Sequence, residues 1–149
     1  MSYDKEYLKL TTVLFRAMQN VEAVIKNDIS SYQLNTSEFG VLELLYNRGK
    51  QPIQSIANRL LMANSSMTYV IDKLEQKNLI SRTTDAVDRR STMVDLTVEG
   101  QQFFSSIFPN HIQTLSEIYK CLSVEELNAL IESLKKIGYQ AMDMNGVKK

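Results

Sequence analysis

Basic side chains are concentrated in one stretch of this 149-residue sequence. Residues 48–90 hold eight Lys and Arg against four Asp and Glu, a balance of +4, and the remainder carries −4, so the chain sums to zero. Clustered Lys and Arg attract phosphate groups, and a distant compensating charge is screened by salt. Nucleic-acid binders are usually basic overall, but this uneven distribution keeps a nucleic-acid partner open.

Two sets of side chains within the basic stretch could contact phosphates or base edges. One set lies on a predicted helix, where hydroxyls near the N-terminus can donate to phosphate and a lysine adds positive charge. The other lies in and beside a predicted loop, where arginines could enter a narrow minor groove. The candidates are Ser65, Ser66, Thr68, Tyr69 and Lys73 in the first set, and Arg82, Arg89 and Arg90 in the second, with the acidic Asp88 beside them. The alternative for both sets is a solvated surface, and Arg82 could equally brace the loop.

Little else in the sequence could carry chemistry. There is no Gly-rich phosphate loop and no supported Ser/His/Asp set, so we expect no enzymatic activity. His111 and Cys121 are the only His and Cys of the chain, which excludes a His/Cys zinc site and an intrachain disulfide. We therefore expect no metal and no cofactor. Cys121 is expected to be buried or inert, with a redox role as the alternative, and His111 to be structural.

The composition also limits the class of protein. The 44% hydrophobic and 23% charged fractions are typical of a globular domain, so wholesale disorder is excluded. No apolar run approaches the roughly 20 residues that a membrane helix needs, and the polar start of the sequence does not fit a signal peptide. We therefore expect a cytoplasmic protein without membrane contact.

The elements that must position the candidate residues are mostly helices, because the chain has only five Gly and two Pro. Residues 5–31 predict a long helix with an apolar stripe of Leu10, Leu14, Met18, Val21, Ile25 and Ile29. Asn35 and Glu38 form a capping box that opens a second helix, which Gly49 ends. A short helix from Ser55 to Leu61 and a helix from Asn64 to Lys77 follow. The core face of the latter is Met67, Val70 or Ile71, and Leu74.

After Asn78 the spacing of apolar residues changes to that of strands. Residues 79–83 and 92–97 enclose the polar loop 84–91, which predicts a β-hairpin with a basic tip. Two short helices followed by such a hairpin form a winged helix-turn-helix. Thr97 caps a further helix that is expected to bend at Pro109, and Ser123 with Glu126 opens the last one. Its stripe is Leu127, Leu130, Ile131, Leu134, Ile137 and Ala141. The fold class is therefore mainly α with a small β-hairpin wing, and the uncovered stripes of the terminal helices predict a dimer.

In order and spacing, these pieces resemble the MarR family of dimeric winged-helix transcription regulators. The resemblance is carried by Leu34 to Leu42, Ile56-Ala57, Ser65 to Glu75, Leu79 to Arg82, Asp88-Arg89-Arg90, Val94 to Gly100, Pro109 and Leu122 to Leu127. The sequence departs from the family pattern at Ala63, where a polar cap is usual, and at Asn78, where Gly is usual. Asn tolerates the left-handed conformation, so the second departure is mild.

The resemblance implies one domain over residues 1–149, with helical dimerisation regions at 5–33 and 98–149 and a DNA-binding winged helix-turn-helix at 34–97. It implies a homodimer on double-stranded DNA, at a pseudo-palindromic operator with half-sites about 10 bp apart. The helix 64–77 would enter the major groove, the wing would reach the minor groove, and Asp88 would pair with Arg90 and orient it.

The resemblance further implies a repressor that is released by a small aromatic, phenolic or quinone-like effector. An effector pocket could be lined by Met18, Phe39, Tyr46, Phe103, Phe108 and His111. The alternative for these side chains is plain core. The alternative for the whole protein is a winged-helix interaction module that binds no DNA.

Overall fold

The computed structural model describes residues 3–60, 62 and 64–146, and for residues 64 and 65 the backbone alone. The described elements are α1 (Asp4–Ser31), α2 (Thr36–Arg48), β1 (Gln51–Pro52), α3 (Ile53–Arg59), α4 (Asn64–Gln76), β2 (Ile80–Thr84), β3 (Thr92–Leu96), α5 (Val98–Tyr119) and α6 (Val124–Met144). The chain divides into two compact units, one ending at Thr114 and one beginning at Leu115. The mainly helical fold with a small wing is confirmed.

The predicted start of α2 is confirmed. The Asn35 side chain accepts a hydrogen bond from the Glu38 N–H at 2.8 Å, and Glu38 Oε1 accepts one from the Asn35 N–H at 3.2 Å. Two backbone donors that have no partner within the helix are thereby satisfied. Gly49 ends α2 with a φ of 76°, a conformation that glycine adopts without steric cost.

The segment after α2 differs from its prediction. Here α3 begins at Ile53, two residues before the predicted Ser55, because Pro52 in an extended conformation already provides the N-cap. The predicted end of this helix at Leu61 lies outside the described residues. Gln51 and Pro52 are also a strand, since they pair with Val94 and Met93 of β3. The wing is therefore a three-stranded antiparallel sheet of order β1-β3-β2 rather than a two-stranded hairpin.

The rest of the wing follows the sequence. Ile80 pairs with Leu96 and Thr84 with Thr92, so the predicted hairpin is confirmed to within one residue at each strand. Asn78 adopts a φ of 59° between α4 and β2. The Thr97 hydroxyl donates to the Asn78 carbonyl at 2.7 Å and accepts from the Gly100 N–H at 2.9 Å, as expected of the cap of α5.

The hydrophobic core lies within the unit that ends at Thr114, where α2, α3, α4 and the sheet pack against the first half of α5. Both Val70 and Ile71 of α4 are buried, so neither replaces the other on its core face. The most deeply buried large side chains are Phe104, Leu42, Leu45, Ile56, Met67, Ile71, Leu74, Ile80, Val41 and Val94.

The apolar stripes of the terminal helices remain exposed in the single chain. In α1, Ile29 is buried, whereas Leu10 and Met18 are more than half exposed. The α6 helix, which Ser123 and Glu126 open through the predicted capping box, has no buried residue. Cys121 is exposed in the single chain, so the expectation that it is buried is wrong, while the expectation that it is inert stays a prediction. Pro109 lies inside α5, which continues through it.

Candidate nucleic-acid interface

One face of α4 is polar and open to solvent. Ser66, Thr68, Tyr69 and Lys73 are exposed, while Met67, Val70 and Ile71 pack into the core on the opposite face of the helix, as expected of an amphipathic helix. The side chain of Ser65 lies outside the described residues. Ser66 and Tyr69 also line a cleft of about 490 Å³ beside the start of α2, with Asn35 and Ser37 on its other wall.

Tyr69 and Lys73 act as a pair on this face. The Lys73 Nζ lies 5.4 Å from the centroid of the Tyr69 ring, and Tyr69 is 62% exposed. Their i, i+4 spacing places them on adjacent turns, and a cation over an aromatic face is stabilised by about 0.5–1 kcal/mol at an exposed site. The pair therefore presents one amphipathic surface with a phenol hydroxyl and a positive charge.

The loop at the tip of the wing is held by its own hydrogen bonds. Asp85 Oδ1 accepts from the Val87 N–H at 3.0 Å, and Asp88 Oδ1 accepts from the Arg90 N–H at 3.0 Å. The Ser91 N–H donates to the Asp88 carbonyl, and the Asp85 N–H donates to the Ser91 carbonyl. The two bonds to the aspartate side chains are typical of Asx turns, and the other two are backbone hydrogen bonds that close the loop. They fix the backbone that carries Arg89 and Arg90, whose side chains are both exposed.

The expected pairing of Asp88 with the Arg90 side chain is replaced by this backbone bond. Asp88 contacts the Arg90 N–H because residues two apart in an Asx turn bring a carboxylate onto the backbone amide. The Arg90 side chain instead lines a cleft of about 240 Å³ at the base of the wing, opposite Ile53 and Gln54 of α3.

Arg82 braces the wing against α4. Its Nε and Nη2 donate to the Glu75 carboxylate at 3.2 and 2.9 Å, and its Nη1 lies 2.8 Å from Asp72 Oδ1. The hydrogen bonds from Arg82 hold the pKa of Glu75 below its usual range, and those to Glu75 raise the pKa of Arg82. The charge of Arg82 is therefore already paired, and the bracing interpretation has direct geometric support.

The structure brings most, but not all, of the residues predicted to line an effector pocket together. Phe39, Tyr46, Phe108 and His111 join one ring cluster around the fully buried Phe104, with centroids 4.6 to 5.7 Å apart. Phe103 packs against the same core, whereas Met18 is 57% exposed on α1. In the single chain the rings pack as core, in agreement with the alternative interpretation.

A buried polar network is the feature that the sequence did not reveal. Asp28 Oδ1 accepts from the Tyr32 hydroxyl at 2.7 Å and from the Thr114 hydroxyl at 2.8 Å, and Asp28 Oδ2 lies 2.8 Å from His111 Nδ1. The Asp28 and His111 side chains are 10% and 7% exposed. Burial alone would raise the pKa of the Asp28 carboxyl, but the hydrogen bonds from His111, Tyr32 and Thr114 outweigh burial and lower it. Asp28 is therefore ionised at neutral pH, and His111 carries its proton on Nδ1 because a carboxylate only accepts.

Other kinds of site receive no support within the described residues. No group of three or more His, Cys, Asp or Glu there could hold a metal ion. None of the helices in that part of the chain is both long and apolar enough to cross a membrane.

An exposed polar helix followed by a three-stranded wing that carries Arg89 and Arg90 on its loop defines a winged helix-turn-helix protein. The MarR family model matches residues 34–92. Over 134 residues, the chain is 42% identical to the HTH-type transcriptional regulator MhqR of Bacillus subtilis (strain 168), which covers 90% of this chain and 92% of that protein. The chain belongs to the MarR family and is a DNA-binding transcriptional regulator.

Solved structures agree on the fold. A MarR variant from E. coli in complex with operator DNA has a TM-score of 0.77 at 20% identity, covering 89% of this chain and 95% of the other. BpsR of Bordetella bronchiseptica, whose DNA binding is regulated by 6-hydroxynicotinic acid, has a TM-score of 0.75 at 24% identity, covering 87% and 98%.

Proposed function

We propose that this regulator acts as a homodimeric repressor that binds a pseudo-palindromic operator through two copies of α4 and two copies of the wing. The observation that carries the proposal is the exposed polar face of α4, together with the exposed side chains of Arg89 and Arg90 on the loop of the wing. In a dimer with two-fold symmetry, the two copies of α4 would read half-sites about 10 bp apart.

Each set of side chains has a distinct role in this proposal. The exposed Ser66, Thr68, Tyr69 and Lys73 face the major groove, where hydroxyls and an ammonium contact phosphates and base edges, and the sequence adds Ser65 as a predicted contact. Arg89 and Arg90 enter the minor groove, whose narrow regions carry an enhanced negative potential. Asp88 fixes the backbone of Arg90, and Arg82 holds the wing on α4 rather than contacting DNA. Since α4 offers no arginine, much of the specificity is expected to come from DNA shape.

The dimer is supported by the exposed stripes of α1 and α6. Large apolar patches on a soluble chain mark interaction surfaces, and a second copy of the chain offers the same stripes in a self-complementary arrangement. Dimers are also typical of the family.

The release of DNA is proposed to follow the binding of a small aromatic, phenolic or quinone-like effector. Support comes from BpsR, in which an aromatic acid regulates DNA binding, and from the ring cluster around Phe104, which an aromatic compound could join in the dimer. An effector acts only through its differential affinity for the DNA-bound and free conformations.

The test is an equilibrium titration on a duplex recovered from random-sequence DNA by in vitro selection with the wild-type chain. Fluorescence anisotropy at several salt concentrations gives both the affinity and its salt dependence. We expect Arg90→Ala to weaken binding and to reduce the slope of log K against log salt by about one unit, because one cation that releases counterions from the DNA is lost. Lys135→Ala, which removes a positive charge from α6, is the matched control and should leave the slope unchanged. Failure to select any duplex would overturn the DNA-binding role.

A further inference from the structure

We propose that the buried network of Asp28, Tyr32, His111 and Thr114 sets the direction of α1 relative to the winged helix-turn-helix, and thereby the half-site spacing that the dimer accepts. The network is a positioning device rather than a DNA contact. The inference rests on the dimeric function proposed above, and its test is chosen so that the two can fail separately.

The position of the network supports this role. Asp28 lies in the last turn of α1, and Tyr32 directly follows that helix, whereas His111 and Thr114 lie on α5, 83 and 86 residues further along the chain. The His111 ring also packs on Phe39 of α2 at 4.6 Å between centroids. The network therefore joins α1 to α5 beside the first helix of the winged helix-turn-helix.

The hydrogen bonds of the network make the contact between α1 and α5 sensitive to the orientation of α1. Apolar contacts tolerate sliding, but hydrogen bonds weaken steeply when their angles and lengths change. Here one carboxylate accepts from two hydroxyls and an imidazole N–H, and no buried side-chain N or O atom of the described residues lacks a partner. Rotating α1 about this point would leave an ionised, buried carboxylate short of donors, which is far costlier than losing an apolar contact.

Because α1 is long, a small tilt of this helix at Asp28 produces a large displacement at its other end. From Asp28 to Leu8, near the other end of α1, is 20 residues, or about 30 Å at 1.5 Å per residue. A tilt of about 5° at Asp28 would therefore move the far end by about 2.6 Å, which approaches the 3.4 Å rise of one base pair. Since the exposed apolar residues of the proposed interface begin near that end, such a tilt would shift the two copies of α4 by a comparable amount.

The experiment measures spacing preference rather than affinity alone. The probes are the selected duplex and two derivatives in which the half-sites are moved one base pair closer or one base pair apart. The variants are Thr114→Val and Tyr32→Phe, each of which deletes one hydroxyl donor at nearly constant shape. We expect each to reduce the preference for the native spacing about threefold or more, because the direction of α1 is less well defined.

Three further variants separate the positioning role from general stability. Val41→Ala destabilises the core of the same unit without touching the network, and should lower the melting temperature while leaving the spacing preference unchanged. Asp28→Asn keeps an acceptor for both hydroxyls and can donate to a neutral His111, so it should retain more of the preference than Asp28→Leu.

The outcomes are distinct. If the wild-type chain selects no duplex, the proposed function fails. If it selects one and Thr114→Val and Tyr32→Phe weaken binding equally at all three spacings, or match Val41→Ala, the proposed function stands and the positioning role is overturned.

Discussion

Tyr32 donates its hydroxyl to a buried carboxylate, and this contact should be visible in the titration of the protein. Burial and the hydrogen bond to Asp28 raise the pKa of Tyr32 to about 12, against an ordinary value of 10.0. A group whose pKa is raised by folding stabilises the native state below its unfolded pKa, and this contribution is lost as the pH rises through the folded value. The relevant window is therefore pH 10 to 12.

In an alkaline absorbance titration under conditions in which the protein stays folded, we expect Tyr32 to ionise last of the seven tyrosines. Tyr32→Phe should remove that late step, and the protein should then lose less stability between pH 10 and 12. Tyr139→Phe, on the 50% exposed side chain of α6, is the control and should leave the late step in place. An unchanged late step in Tyr32→Phe would contradict the assignment.

Asp28 shows why some site residues escape a sequence-based search. It directly precedes Ile29 of the apolar stripe, and a lone Asp beside such a stripe is usually a solvated surface residue. Its partners on α5 are more than 80 residues away, so no local spacing indicates them. By contrast, the exposure of Tyr69 and Lys73 follows from helical periodicity alone, and sequence reasoning placed both on the correct face.

At the scale of elements, the capping boxes of α2 and α6 were predictable because both partners lie within three residues. The strand at Gln51 and Pro52 was not, because two residues pair through the backbone and leave no pattern of side chains. The start of α3 was misplaced for a related reason, since Pro52 ends the strand and opens the helix at once.

Gly100 fixes the approach of α5 to the wing. A Cβ at this position would lie 1.9 Å from the carbonyl oxygen of Leu79, so the backbone would have to move. We expect Gly100→Ala to lower the free energy of unfolding by about 1–3 kcal/mol or more, as overpacking does, measured by urea denaturation. Gly138→Ala is the matched control, because a Cβ there meets nothing and should stabilise α6 by about 0.5–1 kcal/mol. Equal effects of the two substitutions would refute the close-contact explanation.

The bracing role of Arg82 predicts a particular pattern of effects. Arg82→Met keeps the apolar stem and removes the ion pairs with Asp72 and Glu75, which are partly exposed and worth about 1 kcal/mol or less. We expect faster amide exchange in β2 and β3 and weaker operator binding, with no change in the salt slope. A slope reduced by about one unit would instead identify Arg82 as a phosphate contact.

At the scale of the whole molecule, the zero net charge combines a balance of +4 in residues 48–90 with −4 in the remainder. The exposed apolar stripes of α1 and α6 lie outside residues 48–90, so the surfaces proposed for DNA binding and for self-association differ in polarity. Sequence periodicity predicted the stripes, and the structure adds that the single chain leaves them uncovered. We infer that tight operator binding requires both copies of the chain, since one copy alone brings little net positive charge to its half-site.

The dimer proposal can be tested on α6 with two substitutions that add the same carboxylate. Leu134 lies on the apolar stripe and is 41% exposed, and Ala129 lies about 140° away around the helix axis. We expect Leu134→Glu to raise the dimer dissociation constant about a hundredfold or more, because two-fold symmetry removes one buried leucine from each copy. Sedimentation equilibrium over a range of concentrations measures this directly.

Ala129→Glu should leave the association unchanged, since it places its charge on the polar face of the same helix. Operator affinity should fall in parallel with dimerisation for Leu134→Glu, while the helical content by circular dichroism stays constant. If both variants remain dimers of wild-type strength, the stripe of α6 does not form the interface, and α1 alone must then account for the association. If the wild-type chain is itself monomeric at micromolar concentration, no dimer exists before DNA is bound. The proposed dimer and the proposed control of half-site spacing then both fail.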